Sequence, residues 1–520
     1  MTNLQLAAQV IQELVNIGVK EFILCAGARN SPFIEVFANN SHLKVYNFFE
    51  ERSAAFFALG RIARTRLPVA VLTTSGTAAA ELLPAAIEAT YSSLPLIMVT
   101  ADRPKRYRGS GAPQSIEQLG LFSYYVEAAL DLDFENSQFS LTNLSWKKPI
   151  QINTCFSEPL LVGEVPLIQS ADSEAVSKLD FVPANSYVNL RNFLSNHKPV
   201  IVVGYLPRKA QSTVVQFLKS YSAPVYLEGI SGLRGHPELQ ELEIVGGEET
   251  IHALIQHQTV DSLMRLGGVP TLRLWRDLEE KLKDLPVLSV SYNHYTGLSR
   301  PSTHINCLEV LKQVAAIRTS DINCKVLEAD KLKNKKMLSL LEKFPHSEPS
   351  LLFMLSTHLK DKNVYLGNSL PIREWDLVAD RMSPPADLVG NRGANGIDGQ
   401  LSSFLGWAEG SRENWAIVGD LTTLYDLSAP WVAGQLSSDL KLRIVVINNR
   451  GGQIFNRMFG KEIYLNRHNT GFAAFAQMWN WSYQCWSKIP DSFQLENLQL
   501  IELSPDEEQT HQFWRELKEI

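Results

Sequence analysis

Two apolar runs that each break off into polar, oxygen-bearing residues constrain this chain more than any other feature. Ala416-Ile417-Val418 leads into Gly419-Asp420-Leu421, and Ile444-Val445-Val446-Ile447 leads into Asn448-Asn449-Arg450-Gly451-Gly452. The segment between them, Thr422 to Leu436, has the length of a helix. Short apolar runs joined by a connection of that length imply parallel strands, because only parallel neighbours need a crossover. The polar residues then fall at the carboxyl ends of the strands, where open α/β sheets carry their sites. Asp420 offers a carboxylate, Asn449 an amide oxygen and Gly451 a main-chain carbonyl, an all-oxygen set that suits Mg²⁺ or Ca²⁺. Gly419 permits close backbone approach to a phosphate group, and the helix that follows presents free N–H groups to it. The plainer reading of the same residues is a turn aspartate and a loop Asn-Asn.

The rest of the chain repeats this strand-and-helix alternation. In the first third, strands are expected at Glu21 to Cys25, Leu43 to Phe49, Val69 to Thr73, Pro95 to Ala101 and Pro149 to Thr154. Helices are expected at Leu4 to Val15, Glu51 to Arg64 and Ala78 to Tyr91. A polar stretch from Ala171 to Ser186 precedes a second set of strands at Lys198 to Gly204, Pro224 to Glu228, Ser262 to Gly267 and Pro286 to Val290. No cluster of catalytic residue types stands out in that middle part, which reads as architectural. The charged stretch Asp321 to Glu348 is expected to contain a linker. The alternation resumes with Asn363 to Leu366, Asp387 to Gly390 and Leu498 to Leu503, closed by a helix over Pro505 to Ile520. The fold expected is α/β, three domains with parallel central sheets, spanning 1–180, 181–330 and 331–520.

Composition narrows the function class. A hydrophobic content of 45% and a formal net charge of −6 describe an ordinary globular chain and give no reason to expect a nucleic-acid partner. The five cysteines, Cys25, Cys155, Cys307, Cys324 and Cys485, are scattered and lack a C-x-x-C pair, which fits reduced thiols in the cytoplasm. No apolar run has the length of a membrane span, so no membrane insertion is expected.

Phe48-Phe49-Glu50-Glu51-Arg52-Ser53 places carboxylates at the end of an apolar strand. Burial there raises a carboxyl pKa and lets the group hold or share a proton. A glutamate in the first turn of a helix is also favourable to the helix dipole and needs no catalytic role.

Taken together, Glu51 to Gly60, Thr74-Ser75-Gly76-Thr77, Thr100-Ala101-Asp102-Arg103-Pro104, Asn391-Arg392-Gly393-Ala394, Gly396-Ile397-Asp398-Gly399, Gly419-Asp420 and Asn448-Asn449-x-Gly451-Gly452-Gln453-Ile454-Phe455 resemble the thiamine diphosphate (ThDP) enzymes. Within them they resemble the branch that makes 2-succinyl-5-enolpyruvyl-6-hydroxy-3-cyclohexene-1-carboxylate (SEPHCHC) in menaquinone or phylloquinone biosynthesis. The resemblance covers both outer domains and reaches the middle one mainly by position. It implies three α/β domains, a homodimer or homotetramer, and an active site between the first domain of one subunit and the last domain of its partner. It implies ThDP with Mg²⁺ or Mn²⁺ as cofactors, the metal on Asp420, Asn449 and Gly451. Glu51 is implied to hydrogen-bond the aminopyrimidine ring as the catalytic residue. Ser75, Gly76, Ser369, Ile397, Gly419, Leu421 and Gly452 complete the implied cofactor contacts, with Ile397 as the apolar wedge that bends ThDP.

The branch decarboxylates 2-oxoglutarate and adds the resulting fragment to isochorismate. Both substrates are polyanions, and arginine's planar fork matches carboxylates. Arg29, Arg103, Arg373 and Arg392 each follow an expected strand end and match substrate arginines of the branch. Gln114 and Ser369 match polar contacts, Arg273 a basic residue of the middle domain, and Ile454 and Phe455 an apolar wall, although that pair suits a core equally. The chain departs from the pattern at Ala28, where a serine is usual, at Pro113 in place of asparagine, at Leu272 in place of lysine and at Arg450 in place of asparagine. These changes bear on the second substrate more than on the cofactor. Two other readings stay open in the sequence: a ThDP-dependent 2-oxo-acid decarboxylase or carboligase with another acceptor, and a non-catalytic chain that keeps the fold.

Overall fold

The computed structural model describes residues 1–142, 144–170, 185–313 and 324–520. Among these residues, eighteen strands form three six-stranded sheets in which every neighbouring pair is parallel. The first sheet holds β1 (Glu21–Cys25), β2 (Lys44–Phe48), β3 (Val69–Thr73), β4 (Leu96–Asp102), β5 (Ala128–Leu132) and β6 (Ile150–Cys155), in the order β2-β1-β3-β4-β6-β5. The second holds β7 (Pro199–Val203), β8 (Val225–Leu227), β9 (Glu243–Ile244), β10 (Ser262–Leu266), β11 (Val287–Val290) and β12 (Thr303–Ile305), in the order β12-β11-β10-β7-β8-β9. The third holds β13 (Asn363–Leu366), β14 (Asp387–Val389), β15 (Glu413–Gly419), β16 (Lys441–Ile447), β17 (Ser482–Trp486) and β18 (Leu498–Leu503), in the order β14-β13-β15-β16-β18-β17. The first and third sheets therefore share one topology, and the middle sheet has another.

Each sheet has a switch point, where the chain's progress across the sheet reverses and a crevice opens at the carboxyl ends. It lies between β1 and β3 in the first sheet, β10 and β7 in the second, and β13 and β15 in the third. Glycines bring the crevice walls together. A Cβ on Gly27 would come 2.5 Å from Thr74 Cβ, one on Gly204 2.4 Å from the Gly268 carbonyl, and one on Gly367 2.9 Å from the Ile417 carbonyl. The central strands β3 and β7 are buried along their whole length and β16 from Leu442 onward, as sheets covered on both faces require.

The chain divides into two compact units. One contains the first sheet together with Gly393–Gly410 and Thr422–Leu440. The other contains the middle and third sheets with Ser411–Leu421 and Lys441–Ile520. In the first unit the helix Glu51–Thr65 packs on the helix Gln400–Trp407. Small residues make the approach possible: a Cβ on Gly60 would sit 2.0 Å from the Ser403 carbonyl, and one on Gly406 2.1 Å from the Phe57 carbonyl. Ser403 Oγ donates to the Phe56 carbonyl at 3.0 Å and Arg64 Nε to the Trp407 carbonyl at 2.8 Å, which locks the pair.

The structure departs from the sequence expectations in three places. The helix expected over Ala78 to Tyr91 is two helices, Thr77–Ala80 and Leu83–Ser92, with Pro84 in the first turn of the second, where a missing N–H costs nothing. The helix-length segment after Asp420 is a short helix, Asp420–Tyr425, followed by a 3₁₀ stretch, Ala429–Gln435, with Pro430 in its first turn. The charged stretch expected to contain a linker is helical over Cys324–Lys343. The polar stretch 171–184, including the expected boundary at 180, lies outside the described residues, as does 314–323.

Candidate active site

In the first unit, the turn after β2 separates two adjacent glutamates. Glu50 is the cap of the helix Glu51–Thr65: its carboxylate accepts from the Arg52 N–H at 3.1 Å and the Ser53 N–H at 2.9 Å. It also accepts from Ser53 Oγ at 2.5 Å and Ser428 Oγ at 3.0 Å. Glu51 is thereby left out of the cap. Its half-buried side chain lines a cavity with Arg52, Thr74, Ser75, Gly76, Thr77, Glu81, Gln114 and Ile116. Burial raises its carboxyl above the usual range, and the negative charges of Glu50 and Glu81 push the same way.

The far wall of that cavity is the turn after β3. Gly76 has φ +86°, and a Cβ there would meet Gln114 Cα at 3.4 Å, so Gln114 lies directly against it. The Gly76 N–H donates to Gln118 Oε1 at 2.8 Å, and Gln118 Nε2 donates to Asn153 Oδ1 at 2.9 Å. Ser75 is 3% exposed and its hydroxyl has no hydrogen-bond partner among the described residues. Arg29 follows β1 at the switch point. Its N–H donates to Thr74 Oγ1 at 3.3 Å, and its guanidinium donates to the Phe156 carbonyl at 3.1 Å and pairs with Glu158 at 3.1 Å. Arg103 follows β4, with its guanidinium 5.6 Å from the Tyr107 ring and a buried Nε that makes no hydrogen bond. Ile397 is half-buried in the Gly393–Gly410 segment of this unit. Glu88 anchors the start of that segment, accepting from the Gly393 and Ala394 N–H groups at 2.7 Å each.

In the second unit, register aligns the two strands with which the sequence reading began. Gly419 pairs with Ile447, so Asp420 and the Asn448–Gly452 turn leave the sheet side by side. Asp420 is 2% exposed. Its Oδ1 accepts from the Leu421 N–H at 2.6 Å and its Oδ2 from the Gly451 N–H at 2.9 Å, and His468 Nε2 approaches Oδ2 to 3.1 Å. Burial holds this carboxyl above its ordinary range against those hydrogen bonds. The two asparagines have different roles. Asn448 Nδ2 donates to Glu502 Oε1 at 2.7 Å and the Thr470 carbonyl at 2.9 Å, so it fastens the turn to the sheet. Asn449 Nδ2 donates to both carboxylate oxygens of Glu348, and its buried Oδ1 has no partner among the described residues.

A divalent cation fits this set. It offers a carboxylate, an amide oxygen otherwise stranded, and the carbonyl of Gly451, which takes one bond from the Gln453 N–H and has a second lone pair. Gly451 must be glycine: φ is +135°, and a Cβ would come 2.4 Å from the Leu465 carbonyl. No group of three or more His, Cys, Asp or Glu side chains suited to a metal occurs among the described residues, so an ion here depends on amide and main-chain oxygens.

The remaining expected residues of the second unit lie around the other strand ends. Ser369, with φ +70°, starts the helix Leu370–Val378 after β13, and its carbonyl accepts from Arg373 Nη1 at 2.5 Å. Arg392 donates to Asn368 Oδ1 at 2.7 Å. Arg273 is exposed at the start of the helix Leu274–Glu280 and lies 3.9 Å from Asp277. Ile454 and Phe455 begin the helix Gln453–Phe459. Phe455 is 39% exposed and packs on Phe459 and Tyr464 at ring distances of 6.3 and 6.5 Å, so it is not core, while Ile454 is half-buried.

Sequence reasoning missed four residues. Glu348, Glu88 and Gln118 support expected site residues from positions far along the chain. Glu228, buried at the end of β8, accepts from the Thr271 N–H and Oγ1 at 2.6 Å each and feels the charge of Arg392, while Arg373 feels its own. None carries a local sequence signal.

The thiamine pyrophosphate enzyme N-terminal TPP-binding domain matches residues 4–121. A curated relative from Bdellovibrio bacteriovorus, 2-succinyl-5-enolpyruvyl-6-hydroxy-3-cyclohexene-1-carboxylate synthase, is 58% identical to this chain over 99% of both. Proteins of the same name from Akkermansia muciniphila and Listeria monocytogenes are 37% and 30% identical, over 95% and 86% of this chain and 95% and 83% of their own. The chain is an enzyme that belongs to the SEPHCHC synthase family of thiamine diphosphate enzymes.

Proposed function

We propose that this chain decarboxylates 2-oxoglutarate and adds the resulting succinyl-semialdehyde carbanion to isochorismate in conjugate fashion, giving SEPHCHC for menaquinone or phylloquinone. The observation that carries this reading is the 58% identity along 99% of the chain to a relative named for that product. When bound, ThDP supplies the carbanion chemistry by which a 2-oxo acid loses CO₂. Glu51, freed from capping by Glu50, holds a proton on its carboxyl and offers it to a ring nitrogen of the cofactor. Ser75, Gly76 and Ile397 position the cofactor's ring end. Asp420, Asn449 and the Gly451 carbonyl hold Mg²⁺ or Mn²⁺, and Gly419, Leu421, Gly452 and Ser369 lie against the diphosphate end. Arg29, Arg103, Arg373 and Arg392, with Gln114, Ser369 and Arg273, receive the substrate carboxylates, and Ile454 and Phe455 wall the reacting carbon.

The enzyme works as a homodimer or homotetramer in the cytoplasm, with domains divided near residues 180 and 330. No helix among the described residues is long and apolar enough to cross a membrane. A spectrophotometric assay of isochorismate consumption, run with 2-oxoglutarate, ThDP and Mg²⁺ and with each omitted in turn, tests the reading. Consumption that requires all three supports it. Release of CO₂ from 2-oxoglutarate with no loss of isochorismate assigns a different acceptor instead, and no turnover at all defeats both.

A further inference from the structure

Two turns of the first unit are joined below the surface by a pair of side-chain amides. The turn Ser75–Gly76 follows β3, and the turn that carries Arg103 follows β4. Gln118, in the loop between β4 and β5, and Asn153, on β6, lie between them and are both 0% exposed. Gln118 Oε1 accepts from the Gly76 N–H at 2.8 Å. Its Nε2 donates to the Ala101 carbonyl at 3.1 Å and to Asn153 Oδ1 at 2.9 Å. Register sets Asn153 in one row with Thr100 of β4 and Asp131 of β5. Asn153 Oδ1 also accepts from Thr100 Oγ1 at 2.8 Å, and its Nδ2 donates to Asp102 Oδ2 at 3.0 Å and Asp131 Oδ1 at 3.1 Å. Asp102 Oδ1 in turn accepts from the Arg103 N–H at 2.8 Å.

The direction of this chain is fixed at every link. A main-chain N–H can only donate, and carbonyls and carboxylates can only accept. Gly76 and Ala101 therefore set the Gln118 amide, and Asp102 and Asp131 set that of Asn153. Arg108 ties the two carboxylates together: Nη2 donates to Asp131 Oδ1 at 2.7 Å and Asp102 Oδ2 at 3.2 Å, and Nη1 to Asp131 Oδ2 at 2.8 Å. Both hydrogens of each amide nitrogen are used. A buried network satisfied in this way holds the segments it joins in one arrangement, and removing one member leaves its neighbours unpaired in a low-dielectric interior.

We propose that Gln118 and Asn153 are positioning residues that couple the two turns, so that the cofactor contacts at Ser75 and Gly76 and the substrate contact at Arg103 are set together. This rests on the roles given to those three residues under the proposed function. Being fully buried, the two amides act through the turns rather than on the reactants.

Substitutions of Gln118 in the full chain test the coupling. In Gln118→Glu the protonated acid keeps one acceptor and one donor, whereas the ionised carboxylate turns an oxygen toward the Ala101 carbonyl and Asn153 Oδ1. The ThDP Kd, measured by calorimetry with Mg²⁺, is expected to weaken relative to wild type by about 10-fold as pH rises from about 5.5 to about 8, the scale of one or two lost hydrogen bonds. At saturating ThDP, the KM of the substrate that Arg103 holds, identified as the one raised in Arg103→Ala, is expected to follow the same course with kcat little changed. Gln118→Met is expected to raise Kd and KM together at every pH, and it decides the matter if Gln118→Glu does not fold. A Kd or KM that moves alone overturns the coupling, as does a variant that only melts earlier. Arg103→Ala that moves neither KM also overturns it, because the coupling then has no second end. If the wild type releases CO₂ from 2-oxoglutarate but spares isochorismate, the proposed function fails, while the ThDP Kd and the 2-oxoglutarate KM still read the coupling.

Discussion

Both carboxylate oxygens of Glu348 lie within hydrogen-bond distance of Asn449 Nδ2, at 3.1 and 3.0 Å. A carboxylate can only accept, so the amide must turn its nitrogen toward Glu348 and its oxygen away. Glu348 is itself fixed, with 1% exposure and its N–H donating to Thr510 Oγ1 at 3.0 Å. The pair thus aims Asn449 Oδ1 before any ion arrives. Glu348→Gln, whose amide accommodates either orientation of Asn449, is expected to weaken Mg²⁺-dependent ThDP binding by about 10- to 100-fold, the range typical of residues that orient metal ligands. Calorimetric titration of ThDP in the presence of Mg²⁺ measures it, with the melting curve of the cofactor-free protein as the control for folding.

The neighbouring glutamates Glu50 and Glu51 should separate cleanly on substitution. Glu50→Ala removes a helix cap and is expected to cost about 1 kcal/mol of stability. Glu51→Gln keeps the cap and the volume, so its melting temperature should stay near wild type while turnover falls by about 10²- to 10⁴-fold, the usual scale for a lost proton-transfer group. Parallel melting curves and CO₂-release assays on the two variants test the division. Substantial turnover in Glu51→Gln would sink the role assigned to that residue.

Glu228 makes stability depend on pH in a defined direction. Burial, with Asp376 adding to it, raises the folded carboxyl to about 7 from an ordinary value of 4.5. Between those values the folded state keeps a proton that the unfolded chain has released. The contribution of this group is therefore intact below about pH 4.5, declines as pH rises, and is fully lost above about pH 7. The loss is of the order of 3 kcal/mol, from about 1.4 kcal/mol per pKa unit. Glu228→Gln should flatten the decline in stability between pH 5 and 8, read from urea unfolding at each pH. An equally steep decline in the variant would assign the titration elsewhere.

The packing of Glu51–Thr65 on Gln400–Trp407 depends on two hydrogens. Gly60→Ala drives a methyl to 2.0 Å from the Ser403 carbonyl, which is backbone and cannot swing aside. The substitution is expected to destabilise by about 1–3 kcal/mol, as overpacking does. Gly410→Ala, at the end of the same segment with nothing within 4 Å of the new Cβ, should fall within about 0.5 kcal/mol of wild type. Chemical unfolding of the two variants makes the comparison.

The sequence by itself determined the parallel α/β class and the strand ends on which the candidate residues sit. It could do so because central parallel strands are buried on both faces and therefore read as nearly continuous apolar runs, as in Val69–Thr73, Pro199–Val203 and the Ile444 to Ile447 end of β16. Strands β5, β9, β12 and β17 escaped that reading, since β5, β12 and β17 are partly exposed and β9 is only two residues long. Tertiary structure alone decided which of two adjacent glutamates caps a helix, because that follows from the backbone angle at the helix entry. It alone decided which of two adjacent asparagines keeps a free oxygen, because Glu348 meets Asn449 from 101 positions away and Glu502 meets Asn448 from 54. Periodicity records whether a side chain faces core or water, whereas the partner of a buried polar group is set by strands and turns that meet only after the chain has folded.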